Sequence, residues 1–417
     1  MKERIAIPRA GALLAVLALV CAGCIKNGKS DGLMPPERRV GFGPRDIALS
    51  AMPLRMAELK PITPLFVPAF ELFEGPEGVW GPDKRFGGLW VHNLVDFTAL
   101  DGMAAVPGKG IAVVETPNKD GYAHVLRWID TAGRTLSTHP FTGRISSLEA
   151  GKLGGRQVLL TQDWSQTRIL DRDGSPVLDG VPSADNAALA DLDGDGRGEL
   201  VLGDHETITA LSSTGKTLWR REGLSHVDGL AAGSLGTGRG DGLAVFVSSP
   251  GSPVVLILDG KGRDVLEFRD DSFPQQGVFL RAEGKASYLA HVGSRYQSRY
   301  ARLRVSRIEG GTRTITAEAD LGPVHVVKMI GADLIGDKRK EIVLGTENGW
   351  IFIFDEEGRR LGEKHHFGEV RHLAAADLDA DGRQELLIGV KGTTSHLYAY
   401  GVVPSPLPKP ARAPDKP

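Results

Sequence analysis

Two acidic loops with the same spacing carry the clearest chemical pattern in the sequence. Each loop places carboxylates at positions one, three, five and nine and a glycine at position six. Ca²⁺ takes six to eight oxygen ligands, and alternating carboxylates in a loop that turns back on itself supply them. The backbone carbonyl at position seven is a further candidate. The candidate ligands are Asp191, Asp193, Asp195, Arg197 and Glu199 in the first acidic loop, and Asp377, Asp379, Asp381, Arg383 and Glu385 in the second.

Another metal and a plain turn are the alternatives to calcium at these loops. Soft-metal chemistry is disfavoured because neither loop has a Cys or a nearby His. An isolated Asp- and Gly-rich loop is as typical of an ordinary turn as of an ion site. Two loops that share all four acidic positions, each between apolar segments, favour calcium.

A third loop is a degenerate copy of the other two. It keeps carboxylates at Asp333, Asp337 and Glu341, but it has Ile335 at position three and Lys338 in place of the glycine. Because one ligand and the turn-forming glycine are both missing, we expect this degenerate loop to bind calcium weakly or not at all. The sequence therefore predicts two calcium sites and an incomplete third.

The acidic loops belong to a repeat of roughly 45 residues. Residues 187–222 contain four short apolar segments, AALADL, ELVLGD, TITALS and TLWRRE, which Gly, Asp and Ser separate. Such segments are typical of short strands joined by tight turns. Clear copies span residues 324–364 and begin at His372, and weaker copies begin near Phe97, Ile145, Val227 and Val278. We predict an all-β, seven-bladed β-propeller of four-stranded antiparallel blades, with six or eight blades as alternatives.

The last repeat lacks its fourth strand, and a segment before the first repeat can replace it. Residues 88–93, GLWVHN, are similar to the fourth-strand segment TLWRRE. We therefore predict that this N-terminal strand completes the last blade and closes the ring, which removes two free strand edges. The predicted organisation is a signal peptide at 1–23, a tether at 24–45, the propeller at 46–403 with repeats from about 88, and a Pro-rich tail at 404–417.

The N-terminus has the features of an export signal. Lys2, Arg4 and Arg9 precede an apolar run from Ala10 to Val20, which is too short to span a bilayer as a mature helix. The following CAGC resembles the lipobox of bacterial lipoproteins, and this resemblance implies lipidation of Cys24. With Ile25 next, it also implies an anchor in the outer membrane of a Gram-negative bacterium. An ordinary secretory signal is the alternative.

The acidic loops and the repeat resemble the FG-GAP or VCBS-type propeller repeats of integrin α-subunits and many bacterial secreted proteins. In that family the ion lies between the first and second strands of a blade and is structural. The resemblance implies that the aspartates and glutamates of both loops are ligands. It also implies binding or adhesion to a protein or glycan partner.

Composition and motifs narrow the function classes. Lys and Arg total 50 against 52 Asp and Glu, and no basic block stands out, so we expect no nucleic-acid partner. No GxSxG, HExxH, Walker or dinucleotide motif is present. We therefore expect a monomeric binding or scaffold module. The alternatives are an outer-membrane assembly factor or a propeller enzyme, either a polysaccharide lyase or a quinoprotein-like one, because TITALSSTGKTLW is similar to quinoprotein dehydrogenase repeats.

Overall fold

The computed structural model of the chain describes residues 72–404, with gaps at 94–98, 117–122, 143–144, 164–165, 237, 239, 249–252, 295–299 and 393–394. The predicted signal peptide, Cys24, the tether and residues 405–417 lie outside the described residues. In the part of the chain that is described, no helix has the length and apolar character needed to cross a membrane.

The described chain forms seven sheets, each of four antiparallel strands, arranged in a ring, so the prediction of a seven-bladed β-propeller is confirmed. Blades 1 and 2 contain β2 (Ala99–Val106), β3 (Gly110–Thr116), β4 (Ala123–Ile129), β5 (Thr135–Thr142), β6 (Ser147–Leu153), β7 (Arg156–Gln162), β8 (Thr167–Leu170) and β9 (Pro176–Leu178). Blades 3 and 4 contain β10 (Asn186–Ala190), β11 (Glu199–Asp204), β12 (Thr207–Leu211), β13 (Thr217–Arg221), β14 (Val227–Ser234), β15 (Asp241–Val247), β16 (Val254–Leu258) and β17 (Asp264–Arg269).

Blades 5 and 6 contain β18 (Phe273–Glu283), β19 (Ala286–Ser294), β20 (Ala301–Glu309), β21 (Thr312–Gly322), β22 (Val326–Ala332), β23 (Glu341–Thr346), β24 (Trp350–Phe354) and β25 (Arg360–His365). Blade 7 contains β26 (Glu369–Ala376), β27 (Glu385–Lys391), β28 (His396–Pro404) and β1 (Lys84–Asn93). First strands of neighbouring blades pack against each other all the way round, including β26 against β2.

Burial along the strands follows from face-to-face packing of the blades. The second strand of blade 6, β23, is buried at every position, and it reads EIVLGT because both of its faces meet a neighbouring blade. A fourth strand such as β13 is largely exposed, which explains its mixed sequence TLWRR. The core therefore lies between blades.

The N-terminal strand closes the ring, as predicted, and it begins earlier than the repeat pattern indicates. β1 pairs antiparallel with β28 from Lys84 opposite Pro404 to Asn93 opposite His396. The last blade is thus built from both ends of the propeller, and β1 covers the edge of β28.

A short segment before β1, to which the sequence pattern gives no role, covers the seam between blades 6 and 7. The N–H of Glu74 donates to the Glu363 carbonyl (2.9 Å), and the N–H of Glu363 donates back (2.7 Å). Phe73 and Trp80 are buried, and their rings lie 5.2 and 4.6 Å from that of Phe86. Residues 72–80 therefore join blade 6 to the closing strand.

The Asp-x-x-Gly turns between third and fourth strands also link neighbouring blades. In blade 4 the N–H of Gly262 donates to the carbonyl of Asp259 (2.9 Å), with Gly262 at a φ of 75°. The Trp219 indole of blade 3 donates to the Gly260 carbonyl in this turn (2.9 Å), and a Cβ on Gly262 would lie 2.7 Å from that ring. Glycine thus provides both the turn and room for the tryptophan.

Candidate metal centres

The two acidic loops occupy equivalent places in blades 3 and 7. Each joins the first strand of its blade to the second, and the position-nine residues, Glu199 and Glu385, begin β11 and β27. In an antiparallel meander the first and third connections emerge at the same end of the sheet. The acidic loops and the Asp-x-x-Gly turns therefore share one face of the ring, which we call the acidic-loop face.

Three carboxylates converge in each acidic loop. One oxygen from each of Asp191, Asp193 and Glu199 lies within 4.8 Å of the other two. The second loop brings together its position-one, position-three and position-nine carboxylates in the same way, and these are Asp377, Asp379 and Glu385. Oxygens grouped in this way can bind a hard divalent cation such as Ca²⁺.

The position-five aspartates are oriented by the arginine two residues later. The N–H of Arg197 donates to Asp195 (2.8 Å) and the N–H of Arg383 donates to Asp381 (2.8 Å). Neither aspartate belongs to the convergent trio. The Arg197 carbonyl, a predicted ligand, accepts the N–H of Gly155 from blade 2 (2.7 Å). Because a carbonyl oxygen has two lone pairs, this bond leaves one for an ion.

Backbone N–H groups hold the position-one aspartate in place. Asp191 accepts the N–H of Gly194 and that of Gly196 (both 2.9 Å). Asp377 accepts the N–H of Gly382 (3.1 Å), the counterpart of Gly196. Both position-six glycines have positive φ, which lets the loop turn sharply enough to bring position nine back to position one.

The position-nine glutamates are buried beside the aspartates. Glu385 accepts the N–H of Leu378 (2.5 Å), yet burial first and then the charges of the neighbouring aspartates raise its pKa to about 7. Glu199 accepts the N–H of Leu192 (2.8 Å), and the same two causes raise its pKa. Crowded, partly desolvated carboxylates of this kind are stabilised by a cation.

We expect calcium affinity at the second acidic loop to fall as the pH is lowered through about 7. Below the raised pKa of Glu385 the ion must displace a proton. In the metal-free protein, folding stability depends on pH in the opposite direction. Protonated Glu385 stabilises the fold, and this contribution is lost as the pH rises through about 7. Calorimetric titration of an Asp193→Asn variant, which isolates the second loop, measures the affinity. An affinity that is constant between about pH 8 and pH 6 would contradict the prediction.

The degenerate loop lacks the converging geometry. Among the described residues, Asp333, Asp337 and Glu341 do not form a group of ligand atoms within 4.8 Å. Ile335 instead packs against the apolar cluster that contains Phe73. An apolar side chain thus stands where the other two loops have a carboxylate, and weak or absent calcium binding here stays a prediction.

The residue at position eight of one loop is hydrogen-bonded to the residue at position one of the loop in the preceding blade. The sequence pattern did not lead us to predict this link. The N–H of Asp191 donates to the Asp241 carboxylate (3.1 Å), and the N–H of Asp241 donates to the Asp191 carbonyl (2.6 Å). Asp333 and Gln384 make the same exchange between blades 6 and 7 (2.9 and 2.8 Å). The repeats have the same phase in neighbouring blades, and this was the sequence signal from which the link could have been predicted.

A cavity of about 290 Å³ adjoins the first acidic loop. It is lined by Asp191, Asp241, Glu149, Lys152 and Leu189, among other residues. Burial raises the pKa of Asp241, and so, to a smaller extent, does the charge of Asp191. The first loop therefore borders a polar recess.

Comparisons with solved structures agree with the propeller fold. No family model matches the chain, and no curated protein matches it. Raptor from Chaetomium thermophilum has a TM-score of 0.55 and 14% identity over 81% of this chain and 30% of its own. BBS1N, solved in complex with ARL6DN, has a TM-score of 0.54 and 14% identity over 75% of this chain and 96% of its own. At such identities the likeness shows the propeller fold alone, and this chain covers less than a third of Raptor.

Proposed function

We propose that this chain is a calcium-binding cell-envelope lipoprotein of the FG-GAP or VCBS repeat type. Its propeller would serve as a protein- or glycan-binding scaffold. The observation that carries the proposal is the convergence of three carboxylates in each of two loops at equivalent places in two blades. Their number and oxygen chemistry suit Ca²⁺.

Calcium in this proposal fixes the loops of one face. An ion bound by Asp191, Asp193 and Glu199 would join the end of β10 to the start of β11. The bonds between Asp191 and Asp241 would pass this restraint to blade 4. Loops held on a rigid frame are the usual location of binding sites. The acidic-loop face therefore becomes a fixed surface when calcium is bound.

The scaffold role rests on the frame and on a fold-level analogy. A closed ring of seven blades presents loops on both faces, and β1 pairs with β28 to complete the closing blade. BBS1N has a similar fold and was solved in complex with another protein, ARL6DN. Fold similarity alone does not transfer a partner, so the partner must be found by experiment.

The anchor rests on Cys24 in the lipobox-like CAGC. We expect a Cys24→Ser variant to lose fatty-acid labelling and to leave the membrane fraction, because the lipid attached at this cysteine supplies the membrane affinity. Radiolabelled palmitate and fractionation of cell envelopes measure both effects. A variant that stays unlabelled and membrane-bound would show that another segment holds the protein.

Crosslinking in intact envelopes tests the scaffold role. The full-length protein and an Asp193→Asn/Asp379→Asn double variant are crosslinked in calcium, with Asp333→Asn as the matched control. We expect one set of crosslinked species with the wild type and the control, and less of it with the double variant. Equal recovery from all three proteins would contradict a calcium-fixed binding face.

A further inference from the structure

Four potential metal ligands meet on the face opposite the acidic loops. Asp204 ends β11 and His205 lies in the turn that follows it, Asp185 precedes β10, and His226 precedes β14. Connections between second and third strands, and between blades, emerge at the end of the sheet away from the acidic loops. Three separate segments of blades 3 and 4 thus contribute to one cluster.

The side chains are close enough to share an ion. The Asp185 carboxylate lies 2.9 Å from Nδ1 of His205, and one ligand atom from each of Asp185, Asp204 and His205 lies within 4.8 Å of the other two. The ring of His226 is centred 5.6 Å from the ring of His205. His205 and Asp185 are exposed, so their side chains have room to turn toward His226.

The backbone fixes the two imidazole-bearing segments against each other. The N–H of Val227 donates to the carbonyl of His205 (2.8 Å), and the N–H of Leu224 donates to the carbonyl of Glu206 (3.1 Å). The carbonyl of His226 accepts the N–H of Ser248 (2.9 Å). Both histidines therefore start from a defined scaffold, and binding an ion requires ordering of side chains only.

The donor set differs in kind from that of the acidic loops. Two imidazole nitrogens and two carboxylate oxygens suit tetrahedral Zn²⁺, whereas Ca²⁺ takes oxygen ligands. Two carboxylates also balance the charge of a divalent ion. Asp228, whose carboxylate lies 3.7 Å from Nε2 of His226, is placed to orient that ring, as carboxylates commonly do for metal-bound histidines.

We propose that Asp185, Asp204, His205 and His226 form a binding site for Zn²⁺ or a similar divalent transition-metal ion, separate from the calcium loops. The proposal does not depend on calcium binding at the acidic-loop face. This site lies on the face of the ring opposite the acidic loops. A metal bound there would hold the β11–β12 turn to the connection between blades 3 and 4.

A histidine in blade 6 provides the matched control. His325 precedes β22 as His226 precedes β14, and its Nδ1 lies 3.4 Å from Glu347 in the turn between β23 and β24. This pair supplies one imidazole and one carboxylate at the equivalent place. A His325→Ala variant therefore removes an exposed histidine from the same face without touching the proposed ligands.

Titration of the untagged full-length protein with Zn²⁺ in excess Ca²⁺ tests the proposal. We expect one site per chain in the wild type, and at least a tenfold loss of affinity in both His205→Ala and His226→Ala. His325→Ala and Asp379→Asn should bind Zn²⁺ as the wild type does. Co²⁺ in place of Zn²⁺ should give the strong visible absorption of a tetrahedral site, which either histidine variant abolishes.

Melting curves without zinc show whether each variant is folded. Zinc affinities are compared only among variants that unfold at the wild-type temperature. The proposal is overturned if the wild type takes up no zinc. It is equally overturned if either histidine variant binds as tightly as the wild type, or if His325→Ala weakens binding as much as they do.

Discussion

Chelating calcium from the full-length protein is expected to lower its melting temperature by on the order of 10 °C. An ion present at about 100 times its dissociation constant stabilises the folded state by about 2.7 kcal/mol at each site. Two sites together contribute about 5 kcal/mol, and in a chain of this size 1 kcal/mol corresponds to roughly 2 °C. Thermal melts in calcium and in excess chelator measure the shift.

Single variants divide this effect between the two loops. Asp193→Asn and Asp379→Asn should each lower the calcium stoichiometry from two ions to one, and each should remove about half of the chelator-sensitive shift. Asp333→Asn in the degenerate loop is the matched control, and it should leave the stoichiometry at two. If the chelator did not change the melting temperature, or if neither variant changed the calcium stoichiometry, the loops would be ordinary turns.

The fold could be predicted because each blade repeats its signals locally. Asp259 and Gly262 set a turn within a few residues, and the run EIVLGT at β23 reflects burial on both faces. Closure by β1 was predictable from the strand missing at the end of the last repeat. The converging carboxylates were predictable for the same reason, since all three lie in one short loop.

Apart from ring closure, the contacts between distant parts of the chain were not predicted. Phe73 and Trp80 are covered only because ring closure brings the N-terminal segment to blade 6, and no periodicity marks them. Asp241 reaches Asp191 because the loops of adjacent blades are in phase. His205 and His226 meet through the pairing of a turn with a connection between blades, and no local sequence pattern marks this meeting.

Blade 5, which has the weakest repeat, contacts a buried carboxylate in the connection that joins it to blade 4. Asp270 is buried, and its carboxylate accepts hydrogen bonds from Ser272 and is paired with His291 (3.0 Å) and Arg304. Burial alone would raise the pKa of Asp270, but these hydrogen bonds and charges hold it well below its ordinary value. Removing one partner of such a network leaves an uncompensated charge, which costs several kcal/mol. Blade 5, which has no acidic loop, therefore needs this network intact.

Removing the closing strand is expected to have the largest effect of all. A chain that begins at Phe97 lacks β1 and the segment at residues 72–80, and with them Phe73, Trp80, Phe86 and Trp90, all of which are buried. Truncating one buried Phe or Trp to Ala costs about 3–5 kcal/mol. Losing four costs about 12–20 kcal/mol, which matches or exceeds the roughly 5–15 kcal/mol by which folded domains are stable. We expect no cooperative melting transition from this chain, as measured by circular dichroism and calorimetry.

A chain that begins at Leu72 is the reference, since it keeps the closing strand and the residues that cover the seam. Phe86→Ala in the full-length protein provides the graded version. Its ring is fully buried and lies within 5.2 Å of Phe73 and 4.6 Å of Trp80, so we expect a loss of about 4 kcal/mol in the free energy of unfolding. If the chain from Phe97 melted cooperatively at the temperature of the chain from Leu72, blade 7 would be stable with three strands. Closure would then be dispensable, because the seams between blades, and not the completed ring, would hold the propeller together.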